Sequence, residues 1–213
     1  MAMNELYQFY VEGEGEKKII ETLKKDMSLI VSGKVEVLNV VQHEIKNARL
    51  MTLKKGTNVV LVYDTDVCNT DILDKNIKLL KSNNRIKRII CIPQVLNLED
   101  ELIRATTMRK VTDLLNSKTL TDYKRDLLKC SNLDKKLYDK EFDISKFWNE
   151  EPPAKFSRYG NDSALIKKLG YPKALWEIEI QKRPGNPNVI KLRTLWEIWS
   201  FLSVYSVIPP SRR

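Results

Sequence analysis

Two short acidic motifs, each at the end of an apolar stretch, are the residues of this chain that could do chemistry. In the stretch YVEGEGE, Glu12 follows an apolar run and Glu16 stands one helical turn later. In the stretch VVLVYDTD, Asp64 and Asp66 end a second apolar run. Converging carboxylates repel one another unless a hard divalent cation neutralises them, and all-oxygen ligation suits Mg²⁺ or Mn²⁺. The spacing therefore predicts a Mg²⁺ or Mn²⁺ site suited to phosphate chemistry.

The apolar runs that carry these carboxylates are expected to be strands of a parallel sheet. The run NVVLVY has no polar alternation, which is typical of a strand covered by helices on both faces. In such sheets, ligands bind beyond the carboxyl ends of the strands. We expect strands at Gln8–Val11, Val35–Val41, Val59–Tyr63 and Arg88–Ile92, with helices at Glu14–Met27, Asp71–Lys81 and Glu99–Asn116. The predicted fold class is α/β, with a parallel sheet of about four strands flanked by helices.

The two motifs together resemble a known family. VEGEGEKKII, followed by an apolar strand that ends in DTD, resembles the two signature motifs of the Toprim domain, the metal-binding module of topoisomerases, bacterial primases and certain nucleases. The form with two glutamates, Glu12 and Glu16, is more similar to the OLD-type and RloB-like bacterial defence nucleases. The segment NLEDELIRA resembles the acidic helix that OLD-type Toprim domains place after their next strand. The resemblance covers Glu5–Ala105 and nothing after it.

The resemblance implies roles for individual residues. The residues expected to bind the metal are Glu12, Asp64, Asp66 and Glu99, and those expected to act in catalysis are Glu12, Glu16, Asp64 and Asp66. Glu101 competes with Glu99 for the third acidic position, and Glu99 is favoured because Leu98 would bury against the sheet. OLD-type nucleases also use a lysine near the phosphate. Lys155 and Lys167 are both candidates for that lysine, and no motif distinguishes them.

Each motif also has an ordinary structural interpretation. Acidic residues near the start of a helix are favoured by the helix dipole, which could explain the VEGEGE stretch and the acidic run that begins at Glu99. Asp64 or Asp66 could instead cap the helix that begins at Asp71. The order of the two motifs on two strand ends favours the metal site over these alternatives.

Basic residues are concentrated in the C-terminal part of the chain. The net charge of the chain is +9, and residues 155–213 carry 11 basic and 4 acidic residues, a surplus of +7. Clustered Lys and Arg neutralise phosphates, so we expect this part to bind nucleic acid, although a basic surface that only keeps the protein soluble is the alternative. The residues expected to contact phosphates are Lys167, Lys168, Lys182 and Arg183. All four tryptophans follow Ser145. We therefore predict a Toprim-like catalytic domain with a helical insert at 1–145 and a basic, mostly helical extension at 146–213.

The composition excludes several classes of protein. With three cysteines that form no CxxC pair and His43 as the single histidine, the chain offers little to a disulfide framework, a zinc site or a Ser-His or Cys-His catalytic pair. The beginning of the chain lacks the pattern of a signal peptide, and its apolar stretches are too short to span a bilayer. A cytoplasmic protein without a membrane partner is expected.

The function expected from these residues is that of a metal-dependent endonuclease, acting on DNA or RNA as an anti-phage or toxin-like effector. The chain contains no GxxxxGK[ST] loop, so an ATPase that regulates it would be a separate protein. Self-association as a homodimer stays open. The alternatives are a Toprim RNase that matures structured RNA and a non-catalytic nucleic-acid-binding module. Topoisomerase activity is discounted because the chain is short and has no catalytic tyrosine domain.

Overall fold

A parallel sheet of four strands forms the centre of the fold, as the sequence predicted. The computed structural model describes residues 5–67 and 69–168. Its strands are Leu6–Val11 (β1), Lys34–Val37 (β2), Thr57–Asp64 (β3) and Ile86–Gln94 (β4). Their order is β2-β1-β3-β4, and every neighbouring pair is parallel. The carboxyl ends of β1, β3 and β4 therefore lie side by side at one edge of the sheet.

Helices cover both faces of the sheet. They are Glu14–Lys25 (α1), Asn47–Met51 (α2), Asp71–Lys81 (α3), Leu98–Arg104 (α4), Leu120–Lys129 (α5), Leu133–Asp139 (α6) and Ala154–Ser157 (α7), with single 3₁₀ turns at Val111–Leu114 and Ser163–Leu165. Apolar side chains of α1, α4, α5 and α6 pack on one face, here called the α1 face, and those of α2, α3 and α7 pack on the other, the α3 face. Because β3 lies between the two layers, all eight of its residues are buried.

The first crossover shows why the sequence forms this layer. In α1, the apolar residues Ile19, Ile20 and Leu23 fall on one side of the helix and are buried against the sheet. Burial of each such side chain contributes about 1.5–3 kcal/mol to stability. The chain returns to β2 through Gly33, where a Cβ atom would lie 2.7 Å from the carbonyl oxygen of Tyr7. A side chain at this position would push β2 away from β1.

Three predicted elements are shorter than expected, α1 by two residues at its end and two others by more. The second strand ends at Val37 instead of continuing to 41, because the Asn39 side chain accepts hydrogen bonds from the N–H groups of Val41 and Gln42 and folds the chain into a turn. The helix predicted over 99–116 ends at Arg104. There the hydroxyl of Thr106 bonds the carbonyl of Leu102, and the chain leaves the helix.

Part of the predicted extension at 146–213 lies within the described residues. Phe147, Trp148 and Ile166 are buried in the core on the α1 face, and Phe156 of α7 is buried on the α3 face. Residues 169–213, which include Lys182 and Arg183, lie outside the described residues, and the domain boundary stays a prediction. Every helix in the ranges 5–67 and 69–168 is too short or too polar to cross a membrane.

Candidate metal centre

The strand ends bring the two sequence motifs together. Glu12 directly follows β1 and Asp64 is the last residue of the neighbouring strand β3. The backbone N–H of Asp64 lies 3.4 Å from Oε2 of Glu12, a long hydrogen bond that joins the two motifs. The first turn of α1 then adds Glu16 to the same edge. Both motifs therefore lie at the carboxyl edge of the parallel sheet, as the sequence predicted.

Glycine at position 13 allows Glu16 to fold back over the start of α1. A Cβ atom on Gly13 would lie 3.0 Å from Oε2 of Glu16, a tighter contact than side chains normally make. The backbone N–H groups of Gly13 and Glu16 act on this carboxylate and lower its pKa, whereas burial raises the pKa more strongly. The net result is a Glu16 pKa above the usual value.

The middle residue of the DTD motif fixes the loop after β3. The Thr65 hydroxyl donates to the carbonyl of Gln94 at 2.9 Å and accepts from the N–H of Leu96 at 3.1 Å. The N–H of Thr65 donates to the carbonyl of Gln94 at 3.1 Å. Asp64, the residue before Thr65, is buried, and Asp66, the residue after it, is exposed. Thr65 thus holds the two aspartates at the sheet edge by tying β3 to the end of β4.

The acidic start of α4 contains two glutamates with different surroundings. Glu101 is fully buried: its carboxylate accepts the N–H groups of Val95 and Trp148, both at 2.9 Å, and pairs with Arg104 at 2.8 Å. Glu99 has a partly exposed side chain, and its charge acts on Asp64. Of the two competing residues, Glu99 is therefore the one placed near the sequence-predicted carboxylates, whereas Glu101 holds α4 to its neighbours.

The electrostatics of the site centre on Asp64. Burial, together with the charges of four neighbouring carboxylates, raises the pKa of Asp64 to about 9. These neighbours are Glu12, Glu16, Asp66 and Glu99. Oδ1 of Asp64 is buried and has no hydrogen-bond partner among the described residues. Burial also raises the pKa of Glu12, and the charges of Glu16 and Asp66 add to that rise. Asp64, Glu12 and Glu16 therefore resist simultaneous ionisation.

Three residues near the site were not among those predicted from the sequence. Lys124 of α5 pairs with Glu99 at 3.2 Å. Burial raises the pKa of Glu12 and of Glu16, and the charge of Lys124 partly opposes both rises. Burial, with smaller contributions from the charges of Glu99 and Glu16, raises the pKa of Tyr123, and none of the described residues bonds its hydroxyl. Gln94, the third, ends β4. The signal available in the sequence for Gln94 was its place as a polar residue that ends an apolar strand, like Asp64.

The predicted basic residues lie in several places. Lys155 donates to the carbonyl of Val67, one residue after the DTD motif, so it lies next to the site loop. Lys167 is half-buried; burial lowers its pKa, whereas the charges of Glu101 and Asp143 raise it. Lys168 is exposed, and its backbone N–H bonds the carbonyl at position 29. The structure thus places Lys155, and not Lys167, beside the loop that carries Asp66.

The residues at this edge fit a hard divalent cation by their chemistry. Within residues 5–67 and 69–168, no three Asp, Glu, His or Cys side chains are already close enough to share one ion. Ion binding would therefore require side-chain rotation, which the partly exposed Glu12 and the exposed Asp66 allow. The buried, unpartnered oxygen of Asp64 is the observation that favours an ion, since a cation would satisfy it and relieve the repulsion.

The raised pKa of Asp64 predicts how stability depends on pH when no metal is bound. The folded protein keeps a proton on Asp64 between the ordinary value of 3.8 and about 9, whereas the unfolded chain releases it. The contribution of this group to stability is therefore fully present below about pH 4 and falls as pH rises towards 9. In EDTA, we expect the Tm to fall over this range, and Asp64→Asn to make the decline shallower. Equal slopes for the two proteins would show that Asp64 ionises normally.

Comparison with protein-family models, with curated proteins and with solved structures finds no match for this chain.

Proposed function

We propose that this protein is a metal-dependent nuclease that cleaves phosphodiester bonds in nucleic acid at the carboxyl edge of its sheet. The observation that carries the proposal is Asp64, a buried carboxylate with an unpartnered oxygen and four other carboxylates around it. Such a cluster is unfavourable without a cation, and sites that are unfavourable in isolation are characteristic of functional residues. The resemblance of both motifs to those of Toprim nucleases supports the same function.

The residues divide into two groups by position. Glu12, Asp64 and Asp66 stand at the ends of neighbouring strands and would hold Mg²⁺ or Mn²⁺, with Glu99 as the ligand from α4. Glu16 approaches from the first turn of α1, where it would orient the attacking water. A bound divalent cation supplies charge stabilisation to the attacking and leaving oxygens of the phosphate. The carboxylates themselves would bind the cation and orient the attacking water.

Of the two candidate lysines, Lys155 is the better placed to meet a substrate phosphate. Its ammonium group lies at the carbonyl of Val67, directly after the loop that carries Asp66. The side chain is exposed, so it can exchange this carbonyl for a phosphate oxygen at little cost. Lys167 is half-buried, and the carboxylates whose charges act on it are Glu101 and Asp143. The basic residues Lys167, Lys168, Lys182 and Arg183 remain proposed contacts to the nucleic acid.

In the cell, we propose that the nuclease acts as an anti-phage or toxin-like effector that a separate ATPase regulates. The chain contains no phosphate-binding loop of its own, which supports a separate regulator. Maturation of structured RNA uses the same chemistry and is the alternative within this class. Overexpression separates the two, since an effector released from its regulator should arrest growth and a maturation enzyme should be tolerated.

Incubation with nucleic acids tests the nuclease directly. We expect the protein to cleave at least one of plasmid, single-stranded DNA and total tRNA when Mg²⁺ or Mn²⁺ is present, and none in EDTA. Glu12→Gln should lose this cleavage because it removes a charged ligand from a partly exposed position without changing the core. Full activity of Glu12→Gln would assign the cleavage to another site or to a contaminant.

A second candidate function is a nucleic-acid-binding module whose acidic cluster is structural. The ion pair between Lys124 and Glu99 favours this candidate, since it partly neutralises the cluster without a metal. Such a module would leave nucleic acid intact in Mg²⁺, and substitution of Asp64 and Asp66 would not change its binding. Exposed ion pairs contribute only about 0–1 kcal/mol, too little to offset the burial of Asp64, and the nuclease is therefore the better supported of the two.

A further inference from the structure

Gln94 is a fully buried polar residue next to Asp64 in the sheet. It is the last residue of β4, and in the parallel register of the sheet it pairs with Asp64, the last residue of β3. Its side chain has no exposed surface. The two polar residues therefore end neighbouring strands at the same level of the sheet.

Both side chains point to the same face of the sheet. Alternate residues of a strand face opposite sides, and on β3 the residues Val60 and Val62 belong to the core of the α1 face, so Asp64 continues that series. On β4, Ile90 and Ile92 belong to the same core. Gln94, two residues after Ile92, is therefore on the α1 face as well.

The carboxamide of Gln94 has no bonding partner in the part of the chain that the structure describes. Neither Oε1 nor Nε2 has a hydrogen-bond partner among the described residues. A buried unsatisfied polar atom costs about 1–3 kcal/mol. Oδ1 of Asp64 is unsatisfied in the same way. Two neighbouring side chains thus carry three buried atoms that need a polar partner.

The buried carboxamide of Asn76 provides a comparison for that of Gln94. Asn76 is also buried, and its Oδ1 accepts the N–H of Ile45 at 2.7 Å. Its Nδ2 donates to the carbonyls of Val40 and His43 at 2.8 and 2.9 Å. The carboxamide of Asn76 is therefore fully bonded, and that of Gln94 differs from it.

We infer that Gln94 is a positioning residue of the metal centre, whose carboxamide binds a water molecule in the hydration shell of the cation held by Asp64. Mg²⁺ retains several of its waters when it binds to proteins, and a carboxamide can both accept from and donate to such a water. Partners of this outer kind change metal affinity by about 10- to 100-fold. The inference rests on the proposed metal site and adds a neutral residue to its carboxylates.

A substitution that preserves shape separates this role from packing. Gln94→Met keeps the length and volume of the side chain and removes both unsatisfied atoms. In EDTA, we expect Gln94→Met to have a Tm equal to or above that of the unmodified protein. With Mn²⁺, we expect its rise in Tm to be smaller and its Mn²⁺ affinity, measured by calorimetry, to be about 10- to 100-fold weaker.

Asn76→Leu is the matched control, since it removes a buried carboxamide that is fully bonded. It should lower the Tm in EDTA and leave the Mn²⁺-induced rise unchanged. Gln94→Leu provides a second apolar variant and Gln94→Glu a rescue variant, which keeps an acceptor oxygen and should retain Mn²⁺ binding.

The outcomes separate the inference from the proposed function. An unmodified protein whose Tm does not respond to Mg²⁺ or Mn²⁺ has no metal centre, and then both the nuclease and the role of Gln94 are wrong. An unmodified protein that responds, with Gln94→Met or Gln94→Leu responding equally and binding Mn²⁺ with equal affinity, overturns the role of Gln94 alone.

Discussion

Replacement of Asp64 by asparagine is expected to lower metal-dependent cleavage by about 10³-fold or more, since a metal contributes several kcal/mol to the transition state. The same substitution should raise the Tm of the metal-free protein at pH 8. Asparagine has the shape of the protonated carboxyl group that burial favours at this position, where the pKa of Asp64 is about 9. Cleavage assays and thermal unfolding in EDTA measure the two effects.

The opposite signs of these effects make the variant informative. A residue that only supports the fold would lose both activity and stability on substitution. Asp113→Asn is the control, because Asp113 bonds the N–H of Lys110 in a 3₁₀ turn and should leave cleavage unchanged. An Asp64→Asn protein that unfolds at lower temperature in EDTA at pH 8 would mean that the ionised carboxylate is stabilising and that the site needs no cation.

The second large effect concerns the two glutamates of α4. Glu101→Ala is expected to lower the free energy of unfolding by about 3–5 kcal/mol, because it leaves Arg104 without its ion-pair partner and two backbone N–H groups without an acceptor. Glu99→Ala should change it by no more than about 1 kcal/mol, since its ion pair with Lys124 is partly exposed. Denaturant unfolding measures both values.

For Mn²⁺ affinity the order is reversed: we expect substitution of Glu99, and not of Glu101, to have the larger effect. Glu99→Ala is expected to weaken Mn²⁺ affinity although it folds normally. Glu101→Gln, which keeps the shape of the side chain, should bind Mn²⁺ with unchanged affinity wherever it is folded. If Glu101→Gln weakened binding while Glu99→Ala did not, the assignment of the third acidic position would be reversed.

The sequence was sufficient for the sheet and for the residues at its edge. Uninterrupted apolar runs predict buried parallel strands, and a carboxylate that directly ends such a run must lie at the carboxyl edge, as Asp64 does. The neighbouring positions of Glu12 and Asp64 followed from the same reasoning. Positions that follow from local sequence alone could thus be predicted.

What could not be predicted depends on pairing between distant segments. Gln94 lies opposite Asp64 only because of the register between β4 and β3, and Lys124 reaches Glu99 only because α4 and α5 pack into the same core on the α1 face. The separate roles of Glu99 and Glu101 follow from Trp148, whose N–H reaches Glu101 from 47 residues away. Side-chain competition at Thr106 ended a helix that periodicity alone would have continued.

Calorimetric titration of the protein with Mn²⁺ at pH 7, in two buffers of different ionisation enthalpy, tests the central claim most directly. If the carboxylates around Asp64 form a metal centre, Mn²⁺ binds and displaces a proton, because the pKa of Asp64 is about 9 in the metal-free protein. The apparent enthalpy should then differ between the buffers, and both binding and the difference should disappear in Asp64→Asn. Absence of Mn²⁺ binding to the unmodified protein, or binding that Asp64→Asn retains, would contradict the account.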